Sequence, residues 1–130
     1  MRLRLLTSLI TLNFIIGAIP AMAQIRMDGA QLDALMTGNT LYLEEPNGAG
    51  EIVLWYGADG VAMARLPSGS MLDGTWSIKG DSSCIVWSYS PKDSCSKILR
   101  SNESMTLNEA DSDRLLGTVF RIVPGNVENL

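Results

Sequence analysis

Between Asn39 and Pro124 the apolar residues fall in brief β-branched and aromatic runs, separated by clusters of Gly, Pro, Asn, Asp and Ser. Turn clusters that recur at intervals of roughly ten residues are the texture of an all-β domain. The runs predict strands at Thr40–Leu43, Glu51–Tyr56, Val61–Leu66, Thr75–Lys79, Ser83–Tyr89, Cys95–Ser101, Ser104–Asn108 and Arg114–Val123. The segments Gly57-Ala58-Asp59-Gly60 and Lys79-Gly80-Asp81-Ser82 contain residues that accept positive φ, and Pro67-Ser68-Gly69 presets a turn.

Successive side chains of a strand point to opposite faces, so each run also predicts what it buries. In Thr75–Lys79 the alternation is clean, with Trp76 and Ile78 inward and Thr75, Ser77 and Lys79 outward. In Glu51–Tyr56 it is not: Ile52, Leu54 and Tyr56 share one face, and Val53 and Trp55 the other. Val61–Leu66 and Arg114–Val123 are expected to behave similarly, with Phe120 and Ile122 opposing Val119 and Val123. A strand that is apolar on both faces needs a second covering layer.

About eight sequential short strands with tight connections fit a mainly all-β fold, a small antiparallel up-and-down β-barrel. Closure removes the exposed edges that would template aggregation. A β-sandwich is the alternative. Eight strands enclose an interior that side chains either fill or leave open to one small ligand, so the strand count does not decide whether a pocket exists.

Ahead of the strands, residues 28–36 carry helical signals. Asp28 is placed to cap, Leu32, Leu35 and Met36 fall on one face, and Gly38 can end the helix in a left-handed conformation. A helix this short is marginal alone, so its apolar stripe should cover the end or edge of something larger.

Earlier still, Arg2 and Arg4 precede an apolar run from Leu5 to Ile19, followed by Pro20 and the triplet Ala21-Met22-Ala23. This pattern predicts a secretory signal peptide over residues 1–23, cleaved before Gln24, and a single β-barrel-like domain over 24–130. The run is shorter than the roughly twenty residues that a membrane-spanning helix needs, which disfavours an uncleaved anchor. The expected destination lies outside the cytoplasm, with no stable membrane insertion after cleavage.

Removing residues 1–23 leaves eight basic residues against fourteen acidic, a net charge of −6. That surface repels phosphate backbones, so nucleic acid is not an expected partner. The two cysteines, Cys84 and Cys95, flank Pro91 and in an exported chain predict one disulfide across a hairpin. A redox-active pair would need Cys-x-x-Cys spacing or a basic neighbourhood, and neither is present.

The chain has no histidine, which removes the commonest general base and the commonest metal ligand. No catalytic residue, metal site or cofactor is predicted. Ser77 and Lys79 share a strand face, as such pairs commonly do, and the serines of 68–70 and 82–83 sit in turns where hydroxyls normally bond the backbone. The acidic stretch Glu109–Asp113 lacks the glycine and distal glutamate of a helix-loop-helix calcium site and reads as a solvated turn. Asn102-Glu103-Ser104 matches a glycosylation sequon but reads as an ordinary turn.

The order Gly38-Asn39-Thr40-Leu41-Tyr42, Trp55-Tyr56-Gly57-Ala58-Asp59-Gly60, Gly74-Thr75-Trp76-Ser77-Ile78, Cys84-Ile85-Val86-Trp87, Cys95 and Pro124-Gly125-Asn126, behind a signal peptide and short helix, resembles a family of small secreted proteins from alphaproteobacteria. The resemblance spans about residues 30–126. It implies a periplasmic or secreted protein of a Gram-negative bacterium, with a small β-barrel-like fold, and brings no catalytic residue with it. Ala58 stands where the family has a proline before the Asp-Gly turn.

Trp55, Tyr56, Trp76, Trp87 and Tyr89 are the candidate binding residues. Clustered aromatics line concave ligand sites, and they also build compact β cores. The expected function is a noncatalytic binding or interaction module whose partner is a small apolar ligand or another envelope protein, with Trp55 or Trp87 as the solvent-facing contact. Two alternatives are a protein inhibitor that presents the disulfide-stapled loop Ser90–Ser94 and a small hydrolase that works through two carboxylates in one cleft.

Overall fold

A computed structural model describes residues 16–18 and 23–130. The predicted signal peptide lies outside the described residues except at positions 16–18 and 23, and no helix among those described is long and apolar enough to cross a membrane.

The elements are β1 (Ile25–Arg26), α1 (Gly29–Met36), β2 (Asn39–Glu44), β3 (Glu51–Tyr56), β4 (Val61–Arg65), β5 (Met71–Lys79), β6 (Ser82–Trp87), β7 (Asp93–Arg100), β8 (Met105–Glu109) and β9 (Leu115–Pro124). From β2 to β9 each strand pairs antiparallel with the next, and β9 returns to pair with β2. The fold is therefore a closed, eight-stranded up-and-down barrel and not a sandwich. β1, which the sequence pattern did not predict, pairs with Leu99 and Arg100 of β7, beyond the point where the β6 pairing stops at Ser83 against Ser96. The remaining strands sit within a few residues of expectation, except that β5 begins at Met71, and β6 ends at Trp87, which leaves Tyr89 in the following loop.

The helix closes one end. Asp28 Oδ1 accepts from Gln31 N and Gln31 Oε1 accepts from Asp28 N, a reciprocal cap that satisfies two otherwise orphaned donors. Leu32 and Met36, both fully buried, point from α1 into a core with Leu41, Tyr56 and Ile98. Gly29 packs so closely on the β5–β6 turn that a Cβ there would stand 2.3 Å from the Gly80 carbonyl oxygen. Gly38, at φ +72°, turns the chain from α1 into β2.

The covering layer demanded by the two-faced strands is the C-terminal segment. Thr40 and Tyr42 of β2 point out of the barrel yet are buried. Thr40 Oγ1 donates to Gly125 O at 2.6 Å, and Tyr42 Oη donates to Glu128 Oε1 at 2.6 Å. Val53 lies in register between Tyr42 and Arg65, which both bind Glu128, and it too is buried. Arg121 stacks over the Tyr42 ring, 3.9 Å from its centroid.

One face assignment is overturned. The β2–β9 register shifts between Tyr42 and Leu43, so Tyr42 faces Arg121 while Leu43 faces Val119. Phe120 is the extra residue of a bulge. It lies beside Tyr42 outside the barrel and is half-exposed, while Val119 and Ile122 both pack on the interior. A bulge breaks the period of two, which is why strict alternation assigned Phe120 and Ile122 to one face.

Cys84 and Cys95 are register partners on β6 and β7 and are joined by a disulfide, as the spacing predicted.

Candidate functional site

At the end opposite α1, the β2–β3, β4–β5, β6–β7 and β8–β9 loops surround a mouth that opens into the barrel. The cavity behind it measures about 590 Å³, within the range of small-ligand sites. Its walls carry inward-facing Leu43, Leu54, Leu72, Ile85 and Leu107. The space exists because several other inward positions are small: Ala64 on β4, and Ser94 and Ser96 on β7. A second bulge, between Leu107 and Asn108 opposite β9, pairs Leu107 with Gly117 and Asn108 with Leu115. It aims two consecutive residues, Leu115 and Leu116, at the mouth.

The five predicted aromatic residues do not form one group. Tyr56, Trp87 and Tyr89 line the cavity, Tyr56 deep inside and Tyr89 on the rim, where it is 71% exposed. Trp76 lies beneath, edge-on to Tyr56 at 5.2 Å, with Nε1 donating to Gly57 O at 2.8 Å. It is part of the floor. Trp55 points the other way, with its backbone neighbours Thr40 and Met63 on the outer face, and does not line the cavity. Trp87 and Tyr89 also border a shallow external concavity of about 480 Å³ beside Asp73 and Pro91, which lies open to solvent.

The polar groups differ with depth. The Tyr56 and Ser83 hydroxyls are buried side by side with no partner in ordinary hydrogen-bonding geometry. Burial drives the Tyr56 phenol far above its usual range, with the Ser83 hydroxyl offsetting a little of that shift. Toward the mouth stand Glu45 and Arg114, neither of which the sequence pattern marked as functional. Arg114 Nη2 donates to Glu109 Oε1, and Ser112 Oγ donates to Glu109 Oε2. Lys97, buried on the outer wall, reaches Asp113 of the same loop. The acidic stretch Glu109–Asp113 is therefore partly neutralised by ion pairs that shape the rim.

Among the described residues the carboxylate that lines the cavity is Glu45, and the serines that line it are Ser94 and Ser96. Ser77 and Lys79 face outward, where Lys79 binds Asp93. No group of three metal-ligating side chains occurs among the described residues. The signal that sequence reading passed over was the run of small residues at inward positions: Ala62 and Ala64, then Ser94 and Ser96. No family model, curated protein or solved structure matches the chain.

Proposed function

We propose that the protein is a noncatalytic binding module, exported to the periplasm or beyond, whose barrel lumen takes a small apolar ligand. One observation carries this reading: a cavity of about 590 Å³, walled mainly by leucine and isoleucine, closed at one end by a helix and open at the other. That volume is the space of about twenty liquid water molecules. The leucine and isoleucine part of that wall gains from exchanging such water for a hydrocarbon ligand. The disulfide supports an oxidising compartment. The carboxylate-hydrolase alternative asks for two acidic groups in one cleft, and among the described residues the lumen is lined by one, Glu45.

Native mass spectrometry of the protein purified from an envelope fraction tests the reading. The expected result is one small apolar molecule per chain, lost on extraction with organic solvent. An empty protein that also fails to take up a neutral fluorescent hydrocarbon probe would overturn it. A copurifying protein would favour the second reading, in which the exposed Tyr89 on the loop beside the disulfide meets an envelope protein or an inhibited enzyme.

A further inference from the structure

We propose that the lumen selects an amphiphile with a cationic head, held at the rim by Glu45 while the apolar tail fills the barrel. This deepens the reading of the lumen as a ligand site and rests on it. The two charged side chains that border the cavity are not equivalent. The Arg114 guanidinium is already engaged by Glu109, 2.5 Å away. Glu45 takes part in none of the ion pairs among the described residues. One of its carboxylate oxygens, Oε2, is shut off from water and has no hydrogen-bond donor.

Its position is fixed by the turn that carries it. Glu45 N donates to Gly50 O at 2.9 Å, and Gly48 N donates to Glu45 O at 3.1 Å. Glu45 as a whole is half-buried at the rim, so an ammonium head arriving at the mouth meets a carboxylate that has no cation paired with it. An anionic head has no such welcome, because Arg114, the cation lining the cavity among the described residues, is held by Glu109. Deeper in, the Tyr56 and Ser83 hydroxyls are uncharged, so a cationic head finds no counter-charge at the floor. The tail therefore enters first. The acidic balance of the domain also draws cations toward the mouth.

The test is competition on the purified, disulfide-bonded protein. N-phenyl-1-naphthylamine, a neutral apolar fluorophore, is displaced by dodecylamine, dodecanol or dodecanoate, each below its micelle concentration. Dodecylamine is expected to displace half the probe at a concentration at least ten times lower than dodecanoate. Glu45→Gln should bring that ratio close to one and leave dodecanol unchanged, which also confirms that the variant is folded. Dodecanoate competing as well as dodecylamine on the unmodified protein, or a ratio that survives Glu45→Gln, would overturn the head-group assignment. Failure of the fluorophore to bind at all would instead overturn the lumen as a ligand site.

Discussion

The two ends of the barrel are built from the same strands and finished in opposite ways. At the closed end, α1 lays Leu32 and Met36 across the opening, Trp76 and Tyr56 pack edge to face beneath them, and Gly29 lets the helix settle directly on the β5–β6 turn. At the mouth no element among the described residues lies across the opening. Apolar side chains there, Tyr89 and Leu115, remain 71% and 37% exposed, and the β8–β9 loop is tied by ion pairs. Closing a sheet into a barrel satisfies its backbone edges but does not fill its ends. Here the end that received a helix became core, and the end that did not became a candidate site.

The largest expected effect separates the two ends by truncating one leucine at each. Leu32→Ala at the floor should cost about 2–5 kcal/mol, the range for a fully buried leucine whose loss leaves a void. Leu115→Ala at the mouth should cost about 0.5 kcal/mol, as for a surface position. Urea denaturation midpoints measure both. Equal losses would mean that the mouth is packed as tightly as the floor, and the distinction would fall.

Next comes the wall that joins the ends. Replacing Cys84 and Cys95 together by serine should destabilise the barrel by about 2.5–3 kcal/mol, the loop-closure value for so short a crosslinked segment. Affinity for an apolar probe should hold in conditions where the variant is folded, since neither sulfur lines the cavity. A variant that stays fully stable but loses the probe would show that the bridge shapes the mouth.

Much of this architecture was legible in the chain. Period-two alternation located eight strands, and Trp76 with Ile78 was correctly assigned inward. Asp28 and Gly38 marked the helix, and the two cysteines marked neighbouring strands. What alternation could not reveal were the places where it breaks. The bulges at Phe120 and Leu116 depend on register with β2 and β8, partners distant in sequence, so no local pattern announces them. The covering of Tyr42 and Val53 by the C-terminal segment was missed for a similar reason: Glu128 becomes a partner only after the chain has closed on itself. The aromatic set was chosen by residue type, whereas the site depends on which face each residue occupies. Trp55 and Tyr56 are adjacent in sequence and lie on opposite sides of the wall.

A smaller effect tests how closely the helix seals the floor. Gly29→Ala places a methyl group against the Gly80 carbonyl, and the adjustment should cost about 1–3 kcal/mol, as overpacking does. The exposed glycine of the opposite end, Gly69, has open space around its Cβ position but adopts φ +89°, so Gly69→Ala reports backbone strain alone. Thermal melting of the two variants distinguishes them. If Gly29→Ala is neutral, the helix has slack to move away from the turn, and the floor is less firmly sealed than its buried leucine and methionine imply.

The smallest expected effect is that acid loosens the mouth before the floor. At the rim, the Arg114 guanidinium, helped by the Ser112 hydroxyl, holds the Glu109 carboxyl down at about 2 from an ordinary 4.5, and the Lys97 ammonium likewise lowers Asp113. A carboxyl whose folded pKa is depressed adds stability above its unfolded value, and that contribution fades as the pH falls through the folded value. The Glu109–Arg114 pair therefore acts in full above about pH 4.5 and is lost as the pH falls toward 2, and the Asp113–Lys97 pair weakens in the same direction. Both carboxylates are exposed, so salt should weaken the effect. Leu32 and Met36 hold the floor mainly by packing among apolar side chains. Amide exchange measured across this range, after correction for its intrinsic pH dependence, should rise first in residues 110–114 and only later in α1. Glu109→Gln should make the rim exchange faster at neutral pH and remove much of its acid response. If rim and floor open together in one transition, the barrel is a single cooperative unit, and the mouth cannot move to admit a ligand independently of its core.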